Sequence, residues 1–135
     1  MFKKIFTITL VIIMALGNTL TVCAADIYGL NEYNNNLSDR QYYAKYNSVN
    51  KNVDARTVND TDTQKTCTTL LQVKSLNSYG AIAQSDWGKN TVYGSNIGAG
   101  VIVKVPYSSS GFSFYSADVK HTIGKDTYTG RLGVR

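Results

Sequence analysis

Residues 98–134 constrain the fold more than any other part of the chain. They read Gly-Ala-Gly-Val-Ile-Val-Lys-Val-Pro-Tyr, Ser-Ser-Ser-Gly, Phe-Ser-Phe-Tyr-Ser-Ala-Asp-Val-Lys-His-Thr-Ile, Gly-Lys-Asp and Thr-Tyr-Thr-Gly-Arg-Leu-Gly-Val. Three runs rich in β-branched and aromatic residues alternate with short Gly-containing breaks, the pattern of an antiparallel meander. Side chains of a strand alternate with a period of two, so Val101, Val103, Val105 and Tyr107 share one face of the first run. Tyr115, Ala117, Val119, His121 and Ile123 share a face of the second, and Tyr128, Gly130, Leu132 and Val134 a face of the third.

Upstream, Cys67, Thr69, Leu71 and Val73 alternate with Thr68, Leu70, Gln72 and Lys74, which suits a half-buried strand. Asn77-Ser78 signals a turn, residues 79–85 a strand, Asp86-Trp87-Gly88-Lys89-Asn90 a break and Thr91-Val92-Tyr93 a short edge strand. The only proline, Pro106, places its run at an edge or at its end. Five to six short strands at this spacing predict an all-β domain over residues 66–135, a small antiparallel sandwich or meander.

The N-terminus reads differently. Met-Phe-Lys-Lys, an apolar run from Ile5 to Leu16, and Leu-Thr-Val-Cys-Ala-Ala predict a secretory signal peptide over residues 1–25. That run falls short of the roughly 20 apolar residues of a membrane span. Leu20-Thr21-Val22-Cys23 also resembles a lipobox, which would anchor the chain by a lipid on Cys23. Val22 stands where Gly, Ala or Ser is usual, so ordinary cleavage and a secreted, extracellular protein are expected. No transmembrane helix remains after cleavage. Of 14 basic residues, losing Lys3 and Lys4 leaves 12 against 9 acidic, a net +3.

Residues 26–65 are crowded with asparagines and poor in aliphatic residues, the composition of a flexible arm that folding of the β domain does not need. Within it, residues 38–46 carry a helix signal. Ser38 and Gln41 stand at capping-box spacing, Leu37 and Tyr42 at staple positions, and Tyr42 and Tyr46 four residues apart.

Chemistry is sparse. His121 is the only histidine and Cys67 the only cysteine after cleavage, so no intramolecular disulfide forms and a nucleophile–base pair would have to be Cys67 with His121. Asp118, three residues before His121, points to the opposite face of a strand. Asp60-Thr61-Asp62 opens like a calcium loop but lacks the glycine and glutamate that complete it. The glycines between Gly94 and Gly100 lack the lysine and following helix of a phosphate loop. No catalytic residue, metal site or cofactor is expected.

Ten tyrosines and Trp87 leave a contact surface as the open possibility, with Trp87, Tyr93 and Tyr107 its candidates near the turns. The basic residues are scattered rather than striped, so nucleic acid is not an expected partner. The reading is a secreted, non-catalytic β protein that binds a cell-envelope component or a protein partner. The Lys-Lys-led leader, the Gly/Ser/Tyr-rich strands and the run from Ala117 to Lys125 resemble the lactococcin-type secreted bacteriocins. That resemblance spans about the last forty residues, holds no diagnostic motif and carries over no site residue. It implies a disulfide-free β-sandwich acting on the envelope of other cells, the alternative function. The Asn-rich segment and the terminal Arg135 depart from it.

Overall fold

The computed structural model describes residues 27–133, and alternation governs them throughout. In chain order the strands are β1 (Ile27–Gly29), β2 (Glu32–Asn36), β3 (Arg40–Asn47), β4 (Asn52–Asn59), β5 (Lys65–Leu76), β6 (Ile82–Gly94), β7 (Ile97–Lys104), β8 (Ser113–Ile123) and β9 (Asp126–Gly133). Two sheets face each other, one ordered β1-β9-β8-β5-β6 and the other β2-β3-β4-β7. All pairings are antiparallel except β1 with β9. The fold is the expected all-β sandwich, with nine strands among the described residues where the sequence suggested five to six. The predicted signal peptide over residues 1–25, with Cys23, and the last two residues lie outside the described residues.

The three C-terminal runs become β7, β8 and β9, but they do not form one meander. β7 is an edge of the four-stranded sheet and ends two residues before Pro106, whereas β8 and β9 pair in the other sheet. A single 3-10 turn, Ser108–Ser110, carries the chain across between two left-handed residues, Tyr107 (φ 53°) and Gly111 (φ 85°). Val103, Val105, Ala117, Val119, His121, Ile123 and Leu132 follow the predicted alternation and are buried, whereas Tyr107, assigned to the same face as Val103 and Val105, lies past the end of β7 in a left-handed turn and is exposed.

The segment read as an arm, residues 26–65, instead supplies three of the four strands of the second sheet as well as β1. Its scarcity of aliphatic residues misleads, because the inward positions Tyr33, Tyr42, Ala44, Val53 and Ala55 are all buried. Small and aromatic side chains fill that face, while asparagines take outer positions and turns. Asn47 Oδ1 accepts the amides of Val49 and Asn50. Asn59 is buried with its amide group fully used: it donates to the carbonyls of Thr63 and Gly94, and its oxygen accepts from the amide and hydroxyl of Thr61.

Where a helix was predicted over residues 38–46, the chain is strand β3, held between β2 and β4. The physical reason is that a spacing of four fits both periods. Tyr42 and Tyr46 lie one above the other on a helix, and they also share one face of a strand. Two neighbouring strands decide it by satisfying the backbone of β3 along its length.

The break predicted at Asp86–Asn90 is likewise absent, and the 79–85 and 91–93 strands are one strand, β6. Gly88 is there for clearance. A Cβ at that position would meet the side chains of Val101 and Val103, at 2.6 Å from each, where β6 closes over β7. Gly130 does the same inside, since a Cβ there would occupy the space of the Tyr33 phenol.

Candidate functional site

Elements from both sheets bring Tyr33, His121, Thr57 and Thr69 together in the interior. Tyr33 Oη lies 2.7 Å from His121 Nε2, and His121 Nδ1 lies 2.8 Å from Thr57 Oγ1. Thr57 Oγ1 lies 2.6 Å from Thr69 Oγ1, which donates to the Ala99 carbonyl at 2.7 Å. That carbonyl can only accept, and this fixes the direction of the chain. Thr69 spends its proton on Ala99, Thr57 turns its own toward Thr69 or the Thr68 carbonyl 3.3 Å away, His121 donates from Nδ1 to Thr57, and Tyr33 donates to Nε2. The imidazole is therefore the neutral Nδ1–H tautomer. Burial points the same way, depressing the His121 pKa to about 3. The Tyr33 phenol is pushed well above its usual range, first by burial and then by the negative charge of Asp118. Because the chain alternates between the sheets, it fixes their relative register, at no cost in unpaired polar groups.

The Cys67–His121 pair does not assemble. Thr69, not Cys67, stands opposite His121 in the β5–β8 register, and both ring nitrogens of His121 are occupied. The Cys67 thiol is buried, points to the Ile97 carbonyl at 3.9 Å, and is held above its usual pKa by that burial. Native protein is thus expected to resist thiol alkylation until it unfolds, and Cys67→Ser to cost about 1 kcal/mol of stability without touching binding. Rapid labelling of the folded protein would overturn this. Asp118 does point away from His121, as alternation requires, and the bidentate guanidinium of Arg131 meets it at 2.6 and 3.1 Å. Lys74 adds a second cation at 3.6 Å. In the 60–62 turn, Asp62 accepts from Asn96 Nδ2 at 2.9 Å, and among the described residues no group of three acidic, histidine or cysteine side chains is placed to hold a metal.

The outward face of the five-stranded sheet presents the more open chemistry. Register aligns Tyr28, Arg131, Asp118, Gln72 and Trp87 in one row across all five strands. The next row toward the far end of the sheet runs Thr129, Lys120, Leu70, Lys89. Thr68, Leu70, Lys89, Lys120 and Thr122 enclose a shallow pocket of about 160 Å³, with Leu70 between the two lysines.

Trp87 and Tyr93 lie on this same face of edge strand β6, 41% and 65% exposed and roughly 20 Å apart along it. Tyr107 does not join them. It sits at the β7–β8 crossover, 57% exposed, with its ring 5.5 Å from that of Phe112. Nearby, Phe114 stacks on Tyr46 at 4.2 Å, beside a cleft of about 240 Å³ that Lys51 and Val105 also line. Sequence reading missed the Lys89–Leu70–Lys120 grouping because its members are 19 and 31 residues apart in the chain, and only strand register joins them. Among the described residues no helix is long and apolar enough to cross a membrane. No known protein family matches the chain, and no characterised protein does.

Proposed function

We propose that this is an exported, non-catalytic binding protein whose contact surface is the outward face of the five-stranded sheet at strand β6, and that it binds a component of the cell envelope. One observation carries the reading: two exposed aromatics, Trp87 and Tyr93, share a rigid strand face with a pocket flanked by lysines. Large aromatics on a rigid backbone supply contact area at small entropic cost, and neighbouring cations steer an anionic partner. The tip of the β5–β6 hairpin extends the surface with exposed Tyr79 and Ile82.

The test is a pull-down of purified protein on whole cells and isolated cell walls at two salt concentrations. Trp87→Ala is expected to weaken binding by about tenfold or more, the effect of truncating an aromatic anchor. It should leave the β-type circular dichroism spectrum unchanged. Binding untouched by both salt and Trp87→Ala, or no binding to either material, would overturn the proposal.

A further inference from the structure

The two outer faces of the sandwich differ in charge. Alternation and register put Lys74, Lys89, Lys120 and Arg131 against Asp118 on the five-stranded sheet, four cations to one anion. On the four-stranded sheet Lys45, Arg56 and Lys104 face Glu32 and Asp54, three to two. Two of the three excess cations on the first face have no counter-ion among the described residues, and the third arises because Lys74 and Arg131 share one carboxylate. Lys74 and Arg131 are both engaged by Asp118, and Lys45 by Glu32 at 3.3 Å. Lys89 and Lys120 have no ion-pair partner among the described residues. Their stems flank Leu70 from the strands on either side, so their ammonium groups can converge over it from opposite directions. Hydroxyls stand on the adjoining side, where Thr68 pairs with Thr91 at 3.1 Å and Thr122 with Thr127 at 3.4 Å. Each such pair uses one hydroxyl proton and leaves the other to donate.

We propose that the pocket between Lys89 and Lys120 binds phosphate groups of an extended, non-nucleic-acid polymer, an inference that rests on this face being the contact surface. Donors arriving from two opposite lysines and from a row of hydroxyls surround an anion in three dimensions, which suits a tetrahedral oxyanion. A planar carboxylate is better met in its own plane by a guanidinium fork, as Arg131 meets Asp118 on this sheet. The pocket is open, and two exposed lysines hold one isolated anion weakly, so useful affinity needs a chain that extends past the pocket toward Trp87 and Tyr93. Those rings lie too far apart to form the continuous stacking platform that single-stranded nucleic acid uses.

The experiment is a titration of isotope-labelled protein, followed by amide chemical shifts, with inorganic phosphate, polyphosphate, polygalacturonate and a single-stranded oligonucleotide as probes. Phosphate and polyphosphate are expected to shift Leu70, Lys89 and Lys120, polyphosphate binding more tightly and weakening about tenfold between 50 and 200 mM salt. The double change Lys89→Gln with Lys120→Gln should lower polyphosphate affinity at least tenfold, and Lys104→Gln on the other sheet should leave it unchanged. Shifts centred elsewhere, equal loss on Lys104→Gln, polygalacturonate bound as tightly, or the oligonucleotide bound more tightly would each overturn it. The two readings fail separately. Wall binding that depends on Trp87 without any phosphate response sinks only this inference. A phosphate response at the lysine pair, with wall binding absent or untouched by both salt and Trp87→Ala, upholds the site and sinks the envelope reading.

Discussion

A chain beginning at Lys65 is expected not to fold. Such a truncation removes β1 to β4 and leaves β7 as the sole survivor of its sheet, with no strand to pair with. The inner face of the five-stranded sheet would then expose Leu71, Val73, Val119 and Leu132, all fully buried in the intact protein. Tyr42 goes too, and with it the ring packing at 5.0 Å on His121 and 4.9 Å on Tyr128. His121 loses both of its hydrogen-bond partners, Tyr33 and Thr57, and Thr69 keeps only the Ala99 carbonyl of β7, so the polar chain that ties the two sheets together is broken. Against a total stability of about 5–15 kcal/mol for a domain of this size, losing one whole layer exceeds what the remainder can supply. The measurement is circular dichroism with thermal melting, beside a chain beginning at Ile27. A cooperative melt from the Lys65 chain would show that the four-stranded sheet is dispensable after all.

How much of this was legible follows from what each signal measures. Alternation reports which face a residue takes, and it placed Cys67, Thr69, Leu71 and Val73 of β5 and the inward rows of β8 and β9 correctly. It carries no information about partners, so the jump of β7 to the other sheet was invisible, although Ser-Ser-Ser-Gly marks the spot where the chain crosses. Composition failed for β2 to β4 because it averages over both faces. Asn34, Asn36 and Gln41 on the outside hide Tyr33, Tyr42 and Ala44 on the inside. Gly88 was read as a turn because glycine permits both turning and close approach, and only the presence of Val101 and Val103 distinguishes the two. Of the contact candidates, Trp87 and Tyr93 share a face because their numbers have the same parity along one strand. That β6 is one strand could not be seen without β5 beside it.

Acid should destabilise the protein well above the range where carboxylates titrate, and His121 should be the cause. In the folded state its pKa is depressed to about 3 by burial, against 6.5 for an exposed imidazole. Below pH 6.5 the unfolded chain takes up a proton that the folded chain refuses, so stability is complete above about 6.5 and falls as pH drops. The slope approaches about 1.4 kcal/mol per pH unit and the loss, complete near pH 3, is on the order of 5 kcal/mol. Protonating Nε2 in place would also set two donors against each other, since Tyr33 already donates there. Asp39 moves in the same direction with pH but from lower down. Its carboxyl is held below the usual 3.8, chiefly by its hydrogen bond to Arg40, so it contributes only under about pH 4. Denaturant melts between pH 6.5 and 4.5 therefore isolate the histidine. His121→Gln retains an acceptor for Tyr33 and a donor for Thr57 but cannot titrate. It should cost about 1–2 kcal/mol at pH 7 and flatten the profile, so that the variant becomes the more stable protein somewhere between about pH 6 and 5. If the two profiles stay parallel down to pH 4.5, the acid sensitivity arises elsewhere and the neutral, direction-fixed chain from Tyr33 to Ala99 is wrong.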